Sequence, residues 1–195
     1  SDLIRAIGEG IELRLLEEHH AEDLFAAVER NRARLRKWLN WVDRTQSPED
    51  CRVFIRAARE QFASGDALHL GIWEGHCFLG GAGHHAIDPV SRNTSLGYWL
   101  DAGAEGRGIV TRACQALLDY LLGELRLHRV EIRCATGNTR SAAVPERLGF
   151  TCEGVLRQAE WADGRFNDLA VWSLLEEEWA LRRPSPPAPA SRWPG

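Results

Sequence analysis

A strand, a glycine-rich turn and a helix follow one another between Leu96 and Leu118, and this stretch constrains the fold most. Leu96-Gly97-Tyr98-Trp99-Leu100-Asp101 has the apolar and aromatic character of a strand. Ala102-Gly103-Ala104-Glu105-Gly106-Arg107-Gly108-Ile109-Val110-Thr111 is a turn, and Arg112-Ala113-Cys114-Gln115-Ala116-Leu117-Leu118 continues as a helix. The first N–H groups of a helix lack intrahelical partners, and the helix dipole adds positive potential there. Glycines let such a backbone approach an anion closely, so the stretch reads as a phosphate cradle. A plain tight strand-to-helix connection accounts for the same pattern.

Two familiar cradles are excluded. No Gly-Lys-Ser/Thr follows at P-loop spacing. The segment Gly106 to Thr111 lacks the third glycine of the dinucleotide pattern and lies past residue 100, whereas that pattern closes a first βαβ strand.

The chain has 195 residues, 44% of them hydrophobic and 27% charged, enough for one ordinary globular domain. A net charge of −4 supplies no general attraction to nucleic acid or to an anionic membrane. No apolar run reaches the ~20 residues of a membrane helix, and no signal-peptide pattern opens the chain. Cys51, Cys77, Cys114, Cys134 and Cys152 are odd in number and form no C-x-x-C, which points to free thiols in a reducing cytoplasm. The pairs His19-His20 and His84-His85 have no matching ligand spacing, so no metal site is expected. The chain begins at Ser1 rather than Met, which leaves its native start open.

In order, Ile11 to Leu15 alternates as a strand, and Glu17 to Asn31 carries Leu24, Phe25, Ala27 and Val28 on one helical face. Leu35, Trp38, Leu39 and Val42 continue a helical spacing beside Trp41. Ser47-Pro48 starts a helix that runs to about Ser64 and ends at Gly65. Three β-type runs follow, Ala67 to Glu74, Cys77 to Ile87 and Thr94 to Leu100, then the helix from Gly108 to Glu124. Arg129 to Cys134 is a strand, Asn138 to Leu148 a short helix, and Phe150 to Trp161 with Phe166 to Leu174 a closing hairpin. The expectation is an α/β domain over residues 1–182, with about seven mostly antiparallel strands and helices on both faces. Residues 183–195 are Pro-rich and are expected to form a mobile tail.

This order, with Gly-x-Gly after the fourth strand, resembles the GNAT superfamily of N-acetyltransferases, and within it the RimJ/RimL type that includes ribosomal-protein N-terminal acetyltransferases. Four stretches carry the likeness. Asn31 to Trp41 is similar to the family's R-x-x-L-x-x-W-L-x-W segment, and Gly97-Tyr98-Trp99-Leu100 to its fourth strand. Glu105 to Val110 occupies the acetyl-CoA turn, and Asn138-x-x-Ser141-x-x-Val144-x-x-x-x-Gly149-Phe150 matches the second half of the cofactor site.

The resemblance implies a sheet splayed between the fourth and fifth strands, with pantetheine in the slot. It implies acetyl-CoA held by Trp99, Leu100, Glu105, Gly106, Arg107, Gly108, Ile109, Val110, Thr111, Asn138 and Ser141. Acetyl transfer to a primary amine would follow, in a cytoplasmic homodimer, the leading acceptor being a protein N-terminus. A small amine (polyamine, amino acid or aminoglycoside) or a non-catalytic acyl-CoA-binding module are the alternatives. Ser141 would be the proton donor and Glu160 the base, although a solvated or salt-bridged strand Glu and a Ser N-cap explain these residues too. Asn138 equally fits a turn, and Asp168 equally fits a solvent-facing strand position. Tyr98, Trp38 and Trp41 are candidates for the acceptor pocket, with core packing the stronger expectation for Trp38.

Two departures stand out. Glu105 replaces the usual Gln or Arg and brings a like charge towards phosphate. Pro145 stands where many GNAT enzymes carry a Tyr that protonates the thiolate. Pro145 also lacks an N–H and crowds the carbonyl of Ser141, so a bent or late-starting helix is expected.

Overall fold

The structure is a computed structural model and describes residues 4–182; the proposed Pro-rich tail lies outside them. Eight strands form one sheet in the order β1-β2-β3-β4-β5-β6-β8-β7. They are β1 (Ile4–Gly8), β2 (Ile11–Leu15), β3 (Leu68–Glu74), β4 (Cys77–His84), β5 (Asn93–Leu100), β6 (Arg129–Ala135), β7 (Thr151–Ala162) and β8 (Arg165–Leu175). Among the described residues five α-helices accompany them: α1 (Ala21–Leu35), α2 (Pro48–Ala63), α3 (Ile109–Leu118), α4 (Thr139–Arg147) and α5 (Glu176–Arg182).

All neighbouring strands pair antiparallel except β5 and β6. These run parallel, paired only from Asn93↔Arg129 to Leu96↔Ile132. Beyond Leu96 the ladder stops while both strands continue, so the sheet opens between them at their C-terminal ends. This is the expected splay.

The sheet separates two apolar layers. Leu68, Leu70 and Ile72 of β3, with Leu96 and Leu100 of β5, pack with Ile109, Ala113, Leu117 and Leu118 of α3. Alternate residues of the same strands face the other way, as the two-residue period requires. There Trp73 and Phe78 meet Leu24, Val28 and Leu35 of α1 and Ile55 of α2. The start of α2 is fixed by the Ser47 side chain, which accepts the Asp50 N–H at 3.2 Å, and by Pro48 in the first turn.

Three expectations are corrected. The sheet has eight strands, not about seven, because Ile4–Gly8 forms an edge strand behind Gly8-Glu9-Gly10, a turn with positive φ at all three residues. Its five residues bury little, so the apolar pattern is weak. Helix α1 ends at Leu35, and residues 36–41 are turns followed by a 3-10 turn at Val42–Arg44. The Arg32 guanidinium, bonded to the carbonyls of Val42 (2.7 Å) and Thr45 (2.6 Å), ties this segment back onto the helix. Helix α4 begins promptly at Thr139 and runs through Pro145 without a late start.

Three histidines sit on β3, β4 and the residue after it. His84 is buried beneath Tyr120, while His69 lies edge-on to Phe54 of α2 with ring centroids 5.3 Å apart. Burial, with His85 and His84 nearby, pushes the His69 imidazole down to about 4, and burial lowers His84 and His85 as well. Between about pH 6.5 and 4 the unfolded chain therefore binds protons that the folded chain refuses. Stability should be full above the unfolded value and fall as pH drops through that window. In urea unfolding across this range, His69→Gln should show a shallower decline than the parent chain, and equal slopes would contradict the assignment.

Candidate active site

The turn between β5 and α3 has the geometry of an anion cradle. Gly106 (φ 81°) and Gly108 (φ 71°) adopt left-handed conformations, and Gly108 is the N-cap of α3. A Cβ at either position would meet nothing within 4 Å, so the chain itself does not fill the space above them. The first N–H groups of α3 belong to the same concavity. Ile109 is fully buried in the core, so only the backbone of that residue can serve a ligand.

Glu105 does not point a free charge at this cradle. Its carboxylate bridges Arg34 of α1 (3.0 Å) and Arg140 of α4 (2.8 Å). Arg34 also donates to the Leu100 carbonyl at 2.6 Å, and buried Asn31 accepts the Ala102 N–H at 3.0 Å. One face of α1 thus clamps both ends of the 100–105 segment. Arg107 turns its guanidinium onto both oxygens of Glu74 at 2.7 and 3.1 Å. The side chains of Glu105 and Arg107 are therefore engaged within the protein, and their contribution to a ligand is reduced to backbone N–H groups. The Leu100 side chain is likewise packed in the core.

On the opposite face a cavity of about 650 Å³ reaches the opening between β5 and β6. Its lining includes Trp38, Trp41, Phe54, His69, Tyr98 and Glu160. Gly81, Gly83 and Gly97 contribute no side chains to it and leave it roomy. The charged lining is Arg44 and Arg133 against Asp50 and Glu160, with no acidic excess. Trp38 is half-buried here, not in the core: Gly137 lies under its ring, and Lys37 and Arg165 stand 5.1 and 5.9 Å from its centroid. Trp41 meets Trp99 edge-on, with centroids 6.0 Å apart. Trp161 and Phe166 meet edge-on, largely exposed, and do not join the lining.

Glu160 reaches the cavity through a bulge. Leu156 pairs with Leu169 and Glu160 with Asn167, so Arg157, Gln158 and Ala159 oppose the single residue Asp168. Gln158 takes positive φ (49°), and its N–H donates to the Asp168 carboxylate at 2.7 Å. Asp168 is thus exposed but occupied in holding the bulge, a feature that re-aims side chains. Glu160 makes no hydrogen bond or ion pair among the described residues, and desolvation raises its carboxyl above the ordinary range.

Asn138 is the N-cap of α4, its Oδ1 accepting the Ser141 N–H at 3.3 Å, so Ser141 is not itself the cap. Ser141 Oγ donates to the Tyr98 hydroxyl at 3.2 Å, and that hydroxyl donates to the Ser141 carbonyl at 2.8 Å. Asn138, Ser141 and Tyr98 all line the cavity where the sheet opens.

Residues 11–151 match the family described as Acetyltransferase (GNAT) domain. The chain belongs to the GNAT acetyltransferase family. It is 38% identical over 174 residues to the putative ribosomal N-acetyltransferase YdaF of Bacillus subtilis, covering 89% of this chain and 95% of that one. It is 30% identical over 169 residues to the ribosomal-protein-serine acetyltransferase of Escherichia coli, covering 87% and 94%. Among solved structures, a ribosomal L7/L12 α-N-protein acetyltransferase in complex with coenzyme A superposes with a TM-score of 0.86 at 29% identity, over 90% of this chain and 99% of that one.

This GNAT domain is therefore an acetyl-CoA-dependent N-acetyltransferase, with acetyl-CoA as its acyl donor. The turn fits that substrate in shape, because its glycine-lined backbone is open, with no side chain above Gly106 and Gly108. Sequence reasoning assigned no role to Arg34, Arg140, Asn31, His69 or Phe54. Asn31 alone left a signal, a polar residue in register with the apolar face of Leu24, Ala27, Val28 and Leu35.

Among the described residues Glu17, His19 and His20 gather ligand-type atoms within 4.8 Å. His20 Nδ1, however, accepts the Glu17 N–H at 3.0 Å, so the other nitrogen of the neutral ring carries its proton.

Gly108→Leu should weaken acetyl-CoA binding at least tenfold by calorimetry, a loss of about 1.4 kcal/mol, with circular dichroism unchanged. Unaltered affinity would put the pyrophosphate elsewhere.

Proposed function

We propose that this enzyme acetylates the α-amine of a protein N-terminus, with Glu160 as base and Ser141 as hydrogen-bond donor to the departing sulfur. The observation that carries the reading is Glu160 itself: an unpartnered carboxyl of raised affinity for protons, facing a roomy, electrically balanced cavity. A polyamine would call for an acidic excess, which the lining lacks. The relatives named as ribosomal-protein acetyltransferases support the same acceptor class.

Acetyl-CoA supplies the acetyl group as an activated thioester. The cradle of residues 106–111 holds its pyrophosphate through backbone N–H groups. Past Leu96 the edge of β5 that faces β6 has no ladder partner, which leaves backbone N–H groups there for the developing oxyanion. An α-amine of pKa about 7.7–8.0 is roughly one-tenth neutral at pH 7, so a carboxylate suffices as base. The neutral amine forms the C–N bond as the C–S bond breaks. The amine's surplus proton passes to Glu160, and the thiolate, held by the Ser141 hydroxyl, takes one back from solvent. Trp38, Trp41 and Phe54 wall the acceptor's path. Five free cysteines accord with a cytoplasmic setting. A homodimer would find the open β7 edge, with exposed Val155 and Leu156, available for pairing.

The direct test is thiol release from acetyl-CoA with ribosomal N-terminal peptides, polyamines, amino acids and aminoglycosides as acceptors. Release with the peptides is expected; release with polyamines alone would overturn the acceptor assignment. Glu160→Gln should lower kcat/KM by about 10²–10⁴. In the parent enzyme kcat/KM should fall with unit slope below the amine's own value of about 7.7–8.0 and steepen as pH drops through the raised Glu160 value, and that steepening should vanish in the variant. A steepening that persists in Glu160→Gln would move the base to another group.

A further inference from the structure

Pro145 creates a defect in α4 that another element repairs. In a regular helix the N–H of residue 145 would donate to the carbonyl of residue 141, four residues back. Proline has no N–H to give. The Tyr98 hydroxyl reaches across from β5 and donates to that same carbonyl at 2.8 Å. It also accepts the Ser141 Oγ–H at 3.2 Å, using the phenol once as donor and once as acceptor. On the other side of the residue, Asn138 Oδ1 holds the Ser141 N–H. Both backbone groups of Ser141 are thus gripped by side chains from outside the helix ladder.

We propose that Tyr98 is a positioning residue for acetyl transfer: it replaces the backbone bond that Pro145 removes and so fixes the Ser141 hydroxyl where the departing sulfur needs it. The proposal rests on the reading of Ser141 given above. Its logic is geometric. Ser141 lies in the first turn of α4, where an ungripped carbonyl leaves the turn free to fray. With the carbonyl held, the Oγ atom stays in place, and rotation about its C–O bond carries the proton from the phenol oxygen towards sulfur without moving a heavy atom. Tyr98 gives up no proton in this scheme. Its own hydrogen remains on the Ser141 carbonyl, and burial keeps the phenol protonated.

The assignment also changes the meaning of Tyr98. The sequence suggested acceptor binding, yet its hydroxyl is committed to α4. A phenol at position 98 and a proline at position 145 become one device, two departures from a regular helix that cancel.

The test is a double-mutant cycle on the full chain with acetyl-CoA and a responsive N-terminal peptide. Tyr98→Phe should lower kcat about tenfold while KM for acetyl-CoA moves less than about threefold, since positioning in the transition state is lost and ground-state binding is kept. The acid limb of the pH profile should stay where it is. In the Pro145→Ala background a backbone N–H returns to the Ser141 carbonyl, so Tyr98→Phe should there cost no more than about two- to threefold, the mark of two coupled sites. Coenzyme A binding by calorimetry, retained in each variant, certifies that the site is folded. An equal loss in both backgrounds, or no loss on Tyr98→Phe while Ser141→Ala is impaired, would overturn the positioning role and leave the reading of Ser141 intact. If Ser141→Ala itself turns over normally, the reading of Ser141 fails and this inference fails with it.

Discussion

Four residue pairs of parallel ladder, and then none, decide what this sheet can do. Asn93 to Leu96 lock onto Arg129 to Ile132, after which β5 and β6 diverge. Each strand is otherwise saturated, β5 against β4 and β6 against β8. The opening is therefore not a frayed edge but a gap between two well-supported strands, and its rim is unbonded backbone. In the proposed mechanism a thioester lying in such a gap would meet hydrogen-bond donors already oriented, with no reorganisation at the moment of reaction. The strand–turn–helix stretch carries the open glycine turn out of β5, and α4 delivers Ser141 to the side of the gap.

Charge ties together the elements beside the gap. Glu105, which looks misplaced beside a phosphate site, joins α1 to α4 through Arg34 and Arg140 across the turn. Removing it would leave two guanidinium groups near the cradle, so its influence on phosphate affinity and on the geometry of the turn should oppose each other. Arg34 couples this bridge to the last carbonyl of β5. Helix α1 thus supports the turn although it packs on the face of the sheet opposite α3.

Much of this was legible before any coordinates. The order of elements along the chain followed from periodicity, and the splay from the resemblance of four motifs, which also paired Ser141 with Glu160, two residues that line one cavity. The failures have physical causes. Strand β1 buries too little to leave a pattern. Trp38 and Leu39 continue the helical spacing of Leu35 but wall a pocket, because Arg32 pins the chain into turns. Asp168 and Asn31 act on backbone atoms far away in sequence, and no local pattern announces such partners. The Tyr98–Pro145 relation spans strand and helix and is likewise visible only in three dimensions.

The bulge that presents Glu160 has a further meaning. The acyl-donor machinery is built into elements buried against the common core, where a change of one side chain disturbs many neighbours. The carboxylate rides instead on β7, whose residues from Thr151 to Ala159 are exposed. Mutations there are cheap. A lineage could retune which amine is accepted, or lose the proposed base altogether, by drift in one surface hairpin while the core elements stay unchanged.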